Sequence, residues 1–318
     1  MAITRGQLLK QLVPGLHAIF GTEYKRYEDE AAILFENEKS NRAFEEEVLF
    51  PGFGEASVKF EGQGVNYAST GEGWVARYTN ETVAMAFAIT EEAMEDNLYD
   101  KLSTRLTKAL ARSMASAKQT KGATIYNNSF AATQLGGDGV SLVNSLHPLQ
   151  DGSQTAANRK GANTPTVQAQ LSETSLEQGL IDVAGFVDDR SIPIAAQART
   201  LHIPRQLTFV AERLMASPYR VGTADNDVNA IVSTGMVPGG YHVNHRFTNS
   251  KYWWLRTDVP NGMKHFTRAP IATSMEGDFE TGNVRYKSRE RYSYGWSDWR
   301  GVWGTSPEAK HLKGGGIN

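Results

Sequence analysis

EEAMEDNLYDKLSTRLTKALARSMASAKQTKGATIYN, residues 91–127, is the stretch from which the rest of this chain can be read. Met94, Leu98, Leu102, Leu106, Leu110 and Met114 recur at every fourth position, with Ala109, Ala111, Ala115 and Ala117 beside them. An apolar row at this spacing predicts one amphipathic helix. Thr90 is placed to cap it. Glu91, Glu92, Glu95 and Asp96 fill the first turns and Lys118 and Lys121 lie near the end, where the helix dipole favours each sign. At ~1.5 Å per residue the helix would run roughly 50 Å, several times the usual length and enough for the axis of a subunit.

Upstream, Pro51 to Thr90 is strand territory. Glycines at 52, 54, 62, 64, 71 and 73 separate short runs rich in aromatic and β-branched residues. The pattern predicts a long hairpin whose outer part has too few large apolar residues to cover a core, so it should protrude and meet a partner. Glu28 to Glu47 holds eight acidic residues, among them Glu45, Glu46 and Glu47, against Lys39 and Arg42. Such a run is a solvated face or an arm that meets a basic surface on a neighbour. If it is an arm, charge reversal at Glu45–Glu47 should impair assembly and leave the subunit folded. The first element is a helix from about Thr4 to Phe20, interrupted by Pro14.

Downstream, Ala131 to Gln168 is a long loop rich in turn signals, functional or partly mobile by its length. A helix follows from a Ser172 cap through Val187, then a strand at 200–204 and a helix near Arg205–Ser217. Strands are expected at Tyr252–Thr257 and His265–Ile271, and the chain closes with a β run from Phe279 to Val302. Within it, period two sets Arg285, Lys287, Arg289 and Arg291 on one face and Val284, Tyr286, Ser288 and Glu290 on the other. That describes a half-buried interface strand with a basic outer face. Its alternation of basic and aromatic residues is also what a nucleic-acid platform would show. Helices and strands are interspersed without repeat, so the class is α+β.

The 318 residues are 40% hydrophobic and 21% charged, ample for a core, and a formal charge of −2 gives no global attraction to nucleic acid or anionic membranes. There is no cysteine, hence no disulfide and no thiolate chemistry. His242 and His245 lie three apart in strand or loop context with no third ligand nearby, and DNDVN at 225–229 lacks the later residues of a calcium loop. Phosphate-loop, dinucleotide and nucleophile-elbow motifs are missing, and GWSDW at 295–299 fails at its last residue. The reading is of a protein with no cofactor, no metal and no catalytic residues, not an enzyme. No signal peptide or membrane span is recognisable.

The order of elements resembles the major capsid proteins of tailed bacteriophages, the HK97-like fold family. SLVNSLHPLQDG (141–152), GFVDDRSIPI…RTLHIPRQL (185–207), NSKYWWLRTD (249–258) and VRYKSRERYSYGWSDWRGVWG (284–304) are similar to stretches of that family. The resemblance implies an N-terminal arm at 1–50, an extended loop at 51–90, and a peripheral domain at 91–198 and 274–318 with the spine helix at 91–127. It implies an axial domain at 199–273. It further implies self-assembly into pentamers and hexamers of an icosahedral shell around double-stranded DNA, in the virion after assembly in the bacterial cytoplasm. A portal, a possible decoration protein and loose, non-specific DNA contact would accompany this, without a membrane. Because the chain enters the arm almost directly from Met1, no N-terminal propeptide and a separate scaffolding protein are expected. Lys59 lies in the extended loop, but no asparagine partner or catalytic glutamate marks an isopeptide weld. Candidate interface residues are Glu45, Glu46, Glu47, Lys59, Arg285, Lys287, Arg289 and Arg291. An encapsulin-like compartment of the same fold is the alternative, and a β-rich enzyme or carbohydrate-binding protein a more distant one.

Overall fold

The computed structural model describes residues 5–26, 28–90, 92, 99–219, 227–278 and 282–307. In chain order the elements are α1 (Arg5–Tyr24), α2 (Glu30–Leu34), β1 (Glu36–Lys39), β2 (Phe44–Val48), β3 (Val75–Thr79), β4 (Glu81–Ile89) and α3 (Tyr99–Asn127). They continue with α4 (Glu173–Ala184), β5 (Ala198–Pro204), α5 (Thr208–Met215), α6 (Ala230–Thr234), β6 (Tyr241–Asn244), β7 (Trp253–Thr257), β8 (Met263–Gly277), β9 (Val284–Trp296) and β10 (Val302–Thr305). They form two compact units, one of residues 1–45, 78–122 and 265–294, the other of 46–77, 123–264 and 295–318.

The first unit is a four-stranded sheet of order β1-β8-β9-β4, with α1 and α3 contributing to its core. Leu16 and Phe20 of α1 and Leu110, Ala111 and Met114 of α3 bury against Tyr286, with Val83, Phe87, Ile271 and Met275 packed around them. Asp29 caps α2, its Oδ1 accepting from the amides of Ala31 and Ala32 at 3.2 Å each. Gly122 marks a close approach that no local pattern announces: a Cβ there would lie 2.9 Å from that of Ala31. The first turns of the predicted long helix, with Met94 and Leu98, lie outside the described residues, as does Thr4. The row of fours also needs correction. Ser103, Thr107, Leu110, Ala111 and Met114 are buried, whereas Leu102 is 41% exposed. A step of four turns 400° and drifts about 40° each time from a 3.6-residue helix, so a strict row cannot stay on one face.

The second unit is built on a sheet of order β10-β7-β5-β6, antiparallel except for the parallel β5–β6 pair. Trp253, Leu255, Leu201, Ile203 and Trp303 meet Leu176, Leu180 and Val183 of α4 in one cluster. The α4 cap is the one expected: the Ser172 side chain accepts from the Ser175 amide in a capping box. The 131–168 loop has no strand or helix, yet it packs inward. Buried Asn163 donates from Nδ2 to the carbonyls of Leu142 (2.7 Å), Trp299 (3.2 Å) and Val302 (2.9 Å), tying the loop to the chain's closing turn.

Two expectations change. The long hairpin within 51–90 is not formed: β2 pairs with β3, β4 joins β9 instead, and residues 49–74 between β2 and β3 contain no strand. The closing β run is two strands in different sheets, broken by the turn at Trp299–Gly301. β10 therefore pairs with β7, and the expected division of 274–318 from 199–273 runs across a hydrogen-bonded sheet.

Candidate assembly surfaces

The feature of the second unit that calls for a partner is the stretch 49–74. Its base is closed by the Leu49 amide donating to the Trp74 carbonyl (3.0 Å) and the Gly73 amide donating to the Leu49 carbonyl (2.8 Å). Beyond it, Tyr67 is 93% exposed and Val58 80%, with Phe50, Phe53, Phe60 and Val65 also more than half exposed. Lys59 lies among them, exposed. Single exposed apolar residues are ordinary, but six on one short stretch indicate an interaction surface.

At the base of this loop the predicted acidic triplet is occupied within its own chain. Glu47 accepts from Lys264 Nζ and from Ser297 Oγ, and Lys264 is only 4% exposed on its side chain. Glu46 faces Arg77 at 3.6 Å, both well exposed, and Ser40 Oγ donates to Glu45 at 2.8 Å. Glu46 and Glu47 thus brace the loop base, while Glu45 is held by Ser40. For Glu47 charge reversal would set a second cation against the buried Lys264, so that change is expected to disturb folding as well as assembly.

Glu47 also lines a cavity of about 670 Å³ between the loop base and the turn around Asp189 and Arg300. Arg300 is the anchor there. Its Nε donates to the Val187 carbonyl (2.6 Å), Nη1 to Asp298 (3.1 Å) and Nη2 to Asp189 (3.3 Å). Burial pushes the Asp189 carboxyl up, with the Arg300 charge opposing it. His147, from the 141–152 segment, stacks on Trp299 at 4.4 Å and 6°, while its Nδ1 lies 2.6 Å from Asp138 Oδ2. Both members of that pair are buried, a structural contact that the segment's sequence did not explain.

On the sheet of the first unit, β9 follows the predicted alternation. Arg285, Lys287 and Arg289 are exposed, Arg291 is half-buried, and Val284, Tyr286, Ser288 and Glu290 are buried. Across the ladder they face Ala88, Ala86, Ala84 and Thr82 of β4, small residues that leave the basic row open. The inner face is more polar than its sequence suggested. Tyr24 donates to Glu290 at 3.2 Å, and burial pushes the Glu290 carboxyl up. Burial, helped by nearby Lys118, pulls the His265 ring down to about 4, so it is neutral near pH 7.

Residues 75–304 match the family described as phage capsid protein. This chain belongs to that family. It is a major capsid protein, a structural subunit of the phage shell. No curated protein sequence matches it. Among solved structures, the capsid of an empty GTA particle is similar with a TM-score of 0.54 at 11% identity, over 87% of this chain and 89% of that one. A chain from Microbacterium phage Oxtober96 gives 0.51 at 12% identity, over 87% and 90%. The virus-like particle from Pyrococcus furiosus gives 0.51 at 8% identity, over 92% and 98%. At such identities the likeness speaks for the fold, which is the HK97-like α+β fold. The Pyrococcus particle shares that fold too, so it is the family match that favours a phage capsid protein over an encapsulin-like one. In the capsid protein, an arginine flanked by Trp299 and Trp303 in an apolar run was the sequence signal for a buried charge at 300.

Proposed function

We propose that the capsid protein assembles into pentamers and hexamers of a shell around double-stranded DNA, each copy reaching onto the next with its 49–74 loop. The observation that carries this is the row of exposed Phe50, Phe53, Val58, Phe60, Val65 and Tyr67 on a stretch with no strand of its own. A heterologous contact of this kind closes into rings, and many weak straps acting together make a stable shell. Residues 1–50, expected to form an arm, act mainly within their own copy, since α1 and β1 belong to the core and the sheet of the first unit. The unit holding β5–β7 and β10 is the axial domain, and the unit holding β8 and β9 the peripheral one. Lys59, Arg285, Lys287, Arg289 and the half-buried Arg291 supply polar contacts between copies, while Glu45–Glu47 act within the chain.

Family membership supports a portal, a scaffolding protein and a decoration protein as partners, and assembly in the bacterial cytoplasm. A net charge of −2 supports loose contact with DNA driven in by a motor over tight binding. The subunit's role is geometric, with no catalytic step. Among the described residues, no helix is long and apolar enough to cross a membrane.

Electron microscopy of the protein co-produced with its scaffolding protein, with and without residues 56–72, tests the loop. Wild type should form uniform shells. The deletion should keep its circular dichroism spectrum and form none. Shells at wild-type yield from the deletion variant would overturn the role given to the loop.

A further inference from the structure

Most sheet edges in this molecule are blunt. β1 is four residues, Glu-Asn-Glu-Lys, with charges at three of them; β6 and β10 are also four residues long. Short and charged edges are how folded proteins avoid pairing with strangers. β4 is different. It lies at the end of its sheet, pairs with β9 in unbroken register from Glu81↔Tyr292 to Ile89↔Val284, and has no bulge, proline or lysine. From Thr82 to Ile89 it carries no charge. Its outward amides and carbonyls find no other backbone partner among the described residues. Val83 and Phe87 are only half-buried and Met85 is 50% exposed.

The same chain holds a strand-forming segment that lacks a ladder. Val65-Asn66-Tyr67-Ala68-Ser69-Thr70 is uncharged and exposed throughout, with β-branched and aromatic residues and no strand assignment. Among the described residues, the Ser69 carbonyl alone of its backbone groups has a partner, a long contact from Arg190 Nη2 at 3.5 Å. Side chains alternate along an extended segment, so Val65, Tyr67 and Ser69 would share one face and Asn66, Ala68 and Thr70 the other. β4 has the matching two faces: Val83, Met85 and Phe87 on the side of the apolar core, and Thr82, Ala84, Ala86 and Ala88 on the open side.

We propose that residues 65–70 of one copy add as a fifth strand to the free edge of β4 in the next copy, with Val65 and Tyr67 covering Met85 and Phe87. The inference rests on the shell-subunit reading and gives the extended loop its docking site. Main-chain hydrogen bonds would supply the affinity and the two-faced side-chain match the register, as in other strand additions. Six added residues would span about 20 Å of an edge about 30 Å long. One loop and one edge per copy make the contact heterologous, so it propagates around a ring.

Because the chain contains no cysteine, disulfide trapping is clean. Tyr67→Cys would be combined in turn with Val83→Cys, Met85→Cys and Phe87→Cys. Paired positions on neighbouring strands bring Cβ atoms to about 4.5–5.5 Å, near enough for a disulfide with slight adjustment. Oxidised shells should give a ladder of linked chains on a non-reducing gel for one of the three pairs. Unassembled subunits and single-cysteine variants should give none. Shells that form but link at none of these positions would overturn the proposal. Wild-type protein that forms no shells even with its scaffolding protein would overturn the underlying reading instead. Hydrogen exchange on unmodified protein decides the matter even where the variants do not assemble. In the shell, about half the amides of 81–89, those directed away from β9, should become slow together with those of 65–70. Unchanged exchange in either segment on assembly would reject the pairing.

Discussion

Arg300 is 2% exposed, and Asp189, which it contacts, is among the buried residues. A buried pair is weak evidence for stability by itself, but removing one partner strands the other. Arg300→Met should therefore destabilise the subunit by about 3–5 kcal/mol at neutral pH, measured by denaturant unfolding. The pH dependence follows from Asp189. Burial already raises its carboxyl, and without the guanidinium the folded state would hold the proton more tightly still. A raised folded pKa means stability that is present in acid and lost as pH rises through the folded value. The deficit of the variant should be smallest near pH 4 and full at pH 7; a deficit independent of pH would reject the role given to Asp189. Little of this was legible beforehand. The sequence shows an arginine between tryptophans, but the two carboxylates that meet it are supplied by residues far apart and by the turn itself.

At the scale of elements, period was readable and partner was not. The alternation in β9 came out as expected because every second residue of a strand must face the same way. The long helix was readable as a helix, while its buried stripe shifted because spacing by four is only an approximation to 3.6. That shift is testable. Met114→Ala, on the buried stripe, should cost about 2–5 kcal/mol. Leu102→Ala, at 41% exposed, should stay within about 0.5 kcal/mol. Thermal unfolding of the unassembled subunit measures both, and equal losses would put the stripe back where the row of fours drew it. The misread hairpin has the same origin. Val75–Thr79 and Glu81–Ile89 both look like strands, but only long-range pairing sends one to β2 and the other to β9. A local pattern carries no information on that choice.

At the scale of the whole molecule, most of the exposed basic row meets no acidic side chain among the described residues. Asp278 meets Arg285 at one end, and the β4 residues opposite the row are alanines and a threonine. Replacing Lys287 and Arg289 together with glutamate, and leaving Arg285 with Asp278, removes no contact seen among the described residues, so the subunit should fold as before. If the row meets acidic groups of a neighbouring copy, such as Glu55 or Glu61 of the extended loop, the variant should fail to form shells. Wild-type assembly should also weaken as salt rises from about 0.1 M to about 1 M, where screening shortens from about 10 Å to about 3 Å. Each contact would be worth well under a few kcal/mol, so the loss becomes visible only because it recurs at every interface of the shell. The apolar and main-chain contacts of the loop respond differently, since salt does not screen them. If the row faces packaged DNA instead, the variant would still build shells, and the change would appear as reduced DNA content with unaltered shell yield. Light scattering across the salt series, with nucleic-acid content of the purified particles, separates these outcomes in one experiment.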